Sequence, residues 1–223
     1  MKNVLITEFK KEFDKKLAYI FIRENYKVFT ISDEQVDGVT SLPLELKKAA
    51  VELQKAADSI DIYIDVTDER SEKDNFNVRS GINDQVMRNL YAANVIKPMS
   101  MLETFFPLLS AGEGKRLCYL TSAQASINET CGTDGYAYKM AKAGLHNFLQ
   151  ITHNVLAPKG YTIRVFDPCL NVSEQDLKCR TDMSAEAAFN YFTRRRGIER
   201  GNSMRDDENN LVFRDAYGRQ HSW

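Results

Sequence analysis

The sequence predicts an α/β domain built on a doubly wound, mostly parallel sheet of six or seven strands with helices on both faces. Short β-rich runs alternate with longer helix-like segments along the whole chain, which is the pattern of successive βαβ units. Two of those runs, Ile60–Val66 and Leu117–Thr121, are nearly all apolar or β-branched, as strands covered on both faces should be. A chain of 223 residues suits one domain spanning 1–223 and is long enough to bury a substantial core.

The first strand is expected at Val4–Thr7 and leads into a helix over Phe13–Glu24. A second strand follows at Tyr26–Ile31, then a weak one near Val39 and a helix over Leu44–Ala57. After the central run Ile60–Val66 a long helical pattern covers Asn83–Leu109, and Pro98 inside it predicts a kink or a break. Beyond Leu117–Thr121 the pattern continues as a helix over Tyr136–Leu156 and a strand over Thr162–Phe166. A last helix is expected over Ala185–Arg195, with Ser184 as its N-cap and Glu186 in the first turn, where the helix dipole favours an anion. The charged, Gly-containing stretch Arg196–Asn210 reads as a surface loop before a final strand at Leu211–Phe213.

Composition excludes several classes of function. With 30 Lys+Arg against 31 Asp+Glu there is no global field to steer the chain to nucleic acid or an anionic membrane, so neither is an expected partner. No run approaches the roughly 18 apolar residues that a membrane span needs. The four cysteines, Cys118, Cys131, Cys169 and Cys179, lack CxxC spacing, and the opening MKNVLITEFKKEF has no apolar signal core, so a reducing cytoplasmic setting is expected. The three histidines do not pair with cysteines at metal-site spacings, and no metal is expected.

The candidate chemistry lies in YAYKMAKAG, where Tyr138 and Lys142 stand at i and i+4 on one helix face. An ammonium close to a phenol stabilises the phenolate and lowers the tyrosine pKa from about 10, so that the group can act as acid in reduction and base in oxidation. A Tyr and a Lys four apart are usually only core edge and solvated surface, so the pair needs company. Ser122 supplies it in LCYLTSAQASI, at the C-terminal edge of a buried strand, the rim where α/β proteins bind ligands. Asn94 adds a fourth position, in AANVIKPMSMLETFFPLL.

Together these features resemble the short-chain dehydrogenase/reductase family, and within it the small carbonyl-reductase-like branch with a longer loop between serine and tyrosine. The likeness runs over nearly the whole chain, from the VLIT strand through the N-V-x-x-P helix, S-A-Q-A-S-I and Y-K-M-A-K-A-G-L to the Asp-Pro after the sixth strand and a terminal G-x-x-x-x-W. It implies a Rossmann-like sheet in the order 3-2-1-4-5-6-7 and a dimer or tetramer through the helices centred on Asn94 and Tyr138. It also implies roles. Tyr138 would be the proton donor or acceptor, Lys142 its pKa modulator and a ribose contact, and Ser122 the group that orients the substrate oxygen. Asn94 would hold a water linking Lys142 to solvent. Ser126 competes with Ser122, which better matches the strand-end position and the loop length.

The cofactor loop departs from the family. Its T-G-x-x-x-G-x-G is replaced by Thr7-Glu8-Phe9-Lys10-Lys11-Glu12-Phe13-Asp14, with carboxylates at all three glycine positions. At about 4 Å and an effective dielectric near 20, one carboxylate repels a diphosphate charge by on the order of 4 kcal/mol, a several hundredfold loss of affinity. Alternatively, Glu12 and Asp14 replace the ligand, satisfying the helix-start amides that a phosphate otherwise would. Lys10 and Lys11 could compensate in part. Asp65-Val66-Thr67-Asp68 stands where the family shows N-N-A-G, and Cys169 follows Pro168 where a glycine is usual. Asp33, at the end of the second strand, would accept from a ribose 2′-hydroxyl and repel a 2′-phosphate, so NAD is expected in preference to NADP. The cofactor contacts expected are thus Thr7, Asp33, Lys142 and Pro168.

Other candidates have plainer readings. Arg194-Arg195-Arg196 suits the negative end of a helix dipole, and nothing in the spacing requires Glu8, Glu12, Asp14, Asp65 and Asp68 to bind a cation. Cys131 and Cys169 read as ordinary thiols, and His146 and His153, seven apart on one helix face, as packing or oligomer contacts. Two functions are expected from this. One is an oxidoreductase for a small carbonyl or alcohol using a nicotinamide cofactor. The other is a cofactor-free relative serving as a binding or assembly subunit, as a homo-oligomer or beside an active paralogue.

Overall fold

The computed structural model describes residues 1–75, 79, 81, 83–130, 133–170, 173–194 and 207–223. Among these residues eight strands form one sheet: β1 (Lys2–Ile6), β2 (Tyr26–Ile31), β3 (Val39–Leu42), β4 (Ile62–Asp65), β5 (Arg116–Leu120), β6 (Thr162–Asp167), β7 (Val212–Asp215) and β8 (Gln220–His221). Their order is β3-β2-β1-β4-β5-β6-β7-β8. Every neighbouring pair is parallel except β7 with β8. The expected order therefore holds, with an eighth strand of two residues added at the edge.

Among the described residues six α-helices cover the sheet: α1 (Glu12–Arg23), α2 (Leu46–Ala56), α3 (Asp84–Tyr91), α4 (Lys97–Ala111), α5 (Tyr136–Leu156) and α6 (Glu174–Thr193). Side chains alternate along each strand, so each strand supplies two cores. Leu5, Tyr63 and Leu117 pack with Leu53 of α2, Phe105 of α4 and Leu149 of α5. Val4, Ile64 and Cys118 point the other way, onto Phe13 and Phe21 of α1 and Phe192 of α6. The near-continuous apolar character of β4 and β5 follows from this two-sided burial. No helix among the described residues is long and apolar enough to cross a membrane.

The long third helix is interrupted as Pro98 predicted. Asn83 caps α3, its side chain accepting from the Val86 amide at 3.1 Å, and a π-helical turn over Ala92–Ile96 separates α3 from α4. Proline has no N–H and its ring crowds the carbonyl four residues back, here that of Asn94, so the turn widens at that point.

The last helix corrects the sequence expectation. It begins at Glu174 behind Ser173, not at Ala185, and Ser184 lies fully buried in its middle. The apolar residues of its first turns, Leu177 and Met183, remain partly exposed, so no apolar stripe marked them. Most of the expected loop Arg196–Asn210, and Arg195 with it, lies outside the described residues. Within the described part Asp207 is buried rather than solvated, its carboxylate accepting from Arg214 Nη2 at 2.6 Å. Beside it the buried Arg116 donates to the Phe192 and Arg194 carbonyls at 3.0 and 2.6 Å, satisfying the C-terminal end of α6.

Candidate functional site

A cavity of about 520 Å³ opens at the C-terminal rim of the sheet, walled by Lys11 and Asp14 of the β1–α1 loop, Asp68 and Arg70 after β4, Ser122 after β5 and Cys169 after β6. Parallel strands all end here, so the loops that follow them converge on one crevice. Ser122 sits where β5 ends and opens a short 3₁₀ turn (Ala123–Ala125), its hydroxyl accepting from the Gln124 amide at 3.3 Å. Ser126 is turned inward instead, fully buried, accepting from Glu129 N at 3.1 Å.

Tyr138 lies in the first turn of α5, whose free amides are capped from a distant loop. The Asp74 carboxylate accepts from Ala137 N at 3.0 Å and Tyr138 N at 2.8 Å, which fixes the helix start. The Tyr138 hydroxyl donates to Asp68 Oδ1 at 2.6 Å and accepts from Arg70 Nη2 at 2.9 Å. The Arg70 guanidinium lies over the ring, 4.1 Å from its centroid, so it separates the phenol from the cavity. One turn on, Lys142 is fully buried, with Nζ 2.5 Å from the Thr67 carbonyl, 3.4 Å from that of Leu120 and 3.8 Å from Asp68 Oδ1. Tyr138 and Lys142 are thus joined through Asp68, which both approach at the same oxygen.

This arrangement reverses the expected tuning of Tyr138. Its pKa is raised well above the ordinary 10: burial is the largest cause and the Asp68 charge adds to it, against opposing effects of Arg70 and Ser122. Burial likewise lowers the Lys142 pKa, opposed by Asp68 and Asp65. Burial pushes the Asp68 carboxyl up, but Lys142, Lys11 and Arg70 outweigh it and hold the group below its usual range. Asn94, in the π turn, is fully buried and spends its side chain on backbone. Nδ2 donates to the carbonyls of Glu69 (2.9 Å) and Leu90 (3.0 Å), and Oδ1 accepts from Glu69 N (3.1 Å). Both amide hydrogens are thus spent on backbone carbonyls, which leaves acceptor capacity on Oδ1.

On the cofactor side, the Asp14 carboxylate accepts from Lys10 N at 3.0 Å and Lys11 N at 2.8 Å. It fills the amide pair at the start of α1 as a phosphate would. Glu12 does not share this role and remains exposed. Glu8 is nearly buried against Lys97 Nζ (2.8 Å) and Lys10 Nζ (3.4 Å). The Thr7 hydroxyl accepts from Val66 N at 3.2 Å, tying β1 to the end of β4, so it is not presented to a ligand. Asp33 is exposed just beyond β2. Pro168 lines the cavity, and Cys169 beside it adopts φ +53°, a left-handed conformation that glycine accepts without strain. These residues do not fit a dinucleotide diphosphate as arranged, because the amides that would hold it already carry Asp14.

The remaining candidates resolve simply. Burial pushes the Cys169 thiol up to about 11, so it is not an activated nucleophile, and Cys131 lies outside the described residues. His146 is buried, with Nε2 2.6 Å from Thr121 Oγ1 and its ring against Phe213 and Trp223. His153 is half-buried on the same helix. Arg194 is exposed behind α6. Among the described residues no three His, Cys, Asp or Glu side chains converge to hold a metal ion. Asp68 and Arg70 are the site residues that the helix spacing did not disclose. The only sequence signal for them was Asp65-Val66-Thr67-Asp68 in place of N-N-A-G, since each meets Tyr138 across about seventy residues of chain.

The sheet order and the crevice at its C-terminal rim define a Rossmann-like, doubly wound α/β fold. More particularly, it is the fold of the short-chain dehydrogenase/reductases. The carbonyl reductase Sniffer of D. melanogaster superposes with a TM-score of 0.79 over 100% of both chains at 12% identity. An NADPH-bound carbonyl reductase from chicken fatty liver gives 0.77 over 100% of this chain and 99% of that one at 13% identity. A short-chain dehydrogenase/reductase from Brucella ovis with a partially ordered NAD gives 0.64 over 86% and 93% at 17% identity. By sequence, an uncharacterized oxidoreductase of Saccharomyces cerevisiae is 24% identical over 147 residues, 66% of this chain. That match spans about half, 54%, of the yeast protein's length. No protein-family model matches the sequence.

Proposed function

We propose that the chain is an oxidoreductase of the short-chain dehydrogenase/reductase type, interconverting a small carbonyl compound and its alcohol, with Tyr138 exchanging the proton at the substrate oxygen. The observation that carries this is Ser122 in the wall of the rim crevice, with Tyr138 and Lys142 behind it, joined through Asp68 and covered by Arg70. Ser122 would orient the substrate oxygen from the cavity wall. Tyr138, once Arg70 has moved aside, would reach the same oxygen, with Asp68 and Lys142 setting its protonation. A nicotinamide cofactor would supply the hydride, and its diphosphate would have to displace the Asp14 carboxylate from the Lys10 and Lys11 amides. The cofactors bound to the similar structures support that class, and the exposed Asp33 favours NAD over NADP.

A second reading is a cofactor-free binding or assembly subunit, favoured by Asp14 on the Lys10 and Lys11 amides. Calorimetric titration with NADH and NADPH separates the two. Micromolar binding that is lost on Tyr138→Phe plus Lys142→Ala supports the oxidoreductase. No heat at millimolar cofactor overturns it and leaves the subunit reading. For either reading we propose a homodimer or homotetramer through α4 and α5, supported by the exposed Met99 on α4 and Met140 and Ile151 on α5. A hetero-oligomer with an active paralogue belongs to the second reading. The unpaired thiols of Cys118, Cys169 and Cys179 support a cytoplasmic setting.

A further inference from the structure

We propose that Arg70 makes this crevice a site for substrates carrying a carboxylate near the reacting oxygen, that is, oxo acids and hydroxy acids. The inference rests on the reading of Ser122 and Tyr138 as the reacting end of the cavity. Three cations surround the Asp68 carboxylate, which accepts from the Tyr138 hydroxyl. Lys11 lies 2.7 Å, Arg70 3.5 Å and Lys142 3.8 Å from the one carboxylate of Asp68. Glu12, Asp14 and Asp167 also line the cavity, so the attraction for an anionic substituent is local to Arg70 rather than a property of the whole crevice.

Of the three cations only Arg70 is free to change partners. Lys142 is buried, and Lys11 is committed to both the carboxylate and the carbonyl of Asp68, at 2.7 and 3.0 Å. Arg70 keeps its shorter bonds with neutral groups: Nη2 to the Tyr138 hydroxyl at 2.9 Å and Nη1 to Gln124 Oε1 at 3.3 Å. Its contact with Asp68 is long, and 46% of its side chain is exposed. A guanidinium held by a phenol and an amide gains by turning to a carboxylate, which it can grip with two parallel hydrogen bonds.

That exchange has a second effect. Arg70 now covers the Tyr138 ring and occupies its hydroxyl. A substrate carboxylate that draws the guanidinium away uncovers Tyr138 toward Ser122, so the group that is recognised also exposes the proton donor. A neutral ketone or alcohol has no such hold on Arg70 and leaves Tyr138 covered.

The test is calorimetric binding of 3-hydroxybutyrate and of its methyl ester, with no cofactor present, to the parent and to Arg70→Gln. The acid is expected to bind about ten- to a hundredfold more tightly than the ester, and the preference to vanish in the variant. Equal affinity for acid and ester, a preference that survives Arg70→Gln, or no binding of the acid at any soluble concentration overturns the proposal. If Arg70→Gln melts well below the parent, Arg70→Lys replaces it, and a reduced preference is then expected. Binding of the acid without its oxidation in the presence of NAD+ or NADP+ sinks the oxidoreductase reading and spares the carboxylate site. Turnover of the ester in preference to the acid does the reverse.

Discussion

Asp14 and His146 are both buried ionisable groups, and their effects on stability run in opposite senses. Burial raises the Asp14 carboxyl from 3.8 to about 6 against the pull of the Lys11 and Lys10 amides. The folded state therefore holds a proton that the unfolded chain releases, so this contribution is full below about pH 4 and is lost as pH rises through 6. Burial, with a smaller effect of Lys142, lowers His146 from 6.5 to about 4, so its contribution is present above 6.5 and is lost as pH falls toward 4. Each is on the order of 3 kcal/mol, and between pH 4 and 6 they largely offset. Asp14→Asn removes one side of that balance. Thermal melts at pH 4.5 and 6.5 should then show a steeper loss on acidification in the variant than in the parent, whereas parallel losses would mean that Asp14 titrates at its ordinary value. At this scale the sequence disclosed part of the site. A carboxylate at position 14 could be read as a substitute for a ligand because the reason is local, a helix start with free amides. Asp68 and Arg70 could not be read as partners of Tyr138, because nothing local ties them to it.

The elements that position the site depend on close backbone approaches as much as on apolar faces. At the end of α4, Gly112 passes so near the start of β4 that a Cβ there would lie 2.0 Å from the Ile60 carbonyl oxygen. The Leu108 carbonyl, on the last turn of the same helix, accepts from Ile60 N at 3.0 Å, so helix and strand are fastened where no side chain fits. Gly112→Ala should destabilise the fold by about 1–3 kcal/mol or more, read as a lower urea midpoint with an unchanged slope. Gly160→Ala is the comparison, since its surroundings are open and only its φ of +83° is strained. A loss no larger at 112 than at 160 would contradict the steric account. Helix breaks of this kind are legible when a proline marks them, as Pro98 does for the π turn before α4. The first half of α6 was not, because its exposed face offers no periodic apolar signal and its N-cap, Ser173, is one polar residue among many.

Across the molecule, the order of the seven longer strands follows from rules that need only the alternation of elements. Right-handed crossovers between parallel strands leave few ways to place them. β8 escapes such reasoning: two residues carry no period, and the strand exists only because the chain after β7 turns back to pair Phe213 with His221 and Arg214 with Gln220. Assembly is the remaining property at this scale. Light scattering of the purified chain should give a dimer or tetramer, and Met140→Glu with Ile151→Glu on α5 should shift it toward monomer while the circular dichroism stays unchanged. A monomeric parent would rule out the proposed contact.

The Asp14 carboxylate on the Lys10 and Lys11 amides also bears on how such a loop can change over generations. Replacing it by glycine would clear the place of a phosphate, but it would also leave two helix-start amides without an acceptor whenever no ligand is bound. The ligand-free protein would then be the less stable one, and the dinucleotide would become part of what holds α1 in place. A lineage that has placed an acid there no longer depends on the supply of a cofactor to keep its fold. The way back crosses a step at which the protein is weaker until the ligand arrives.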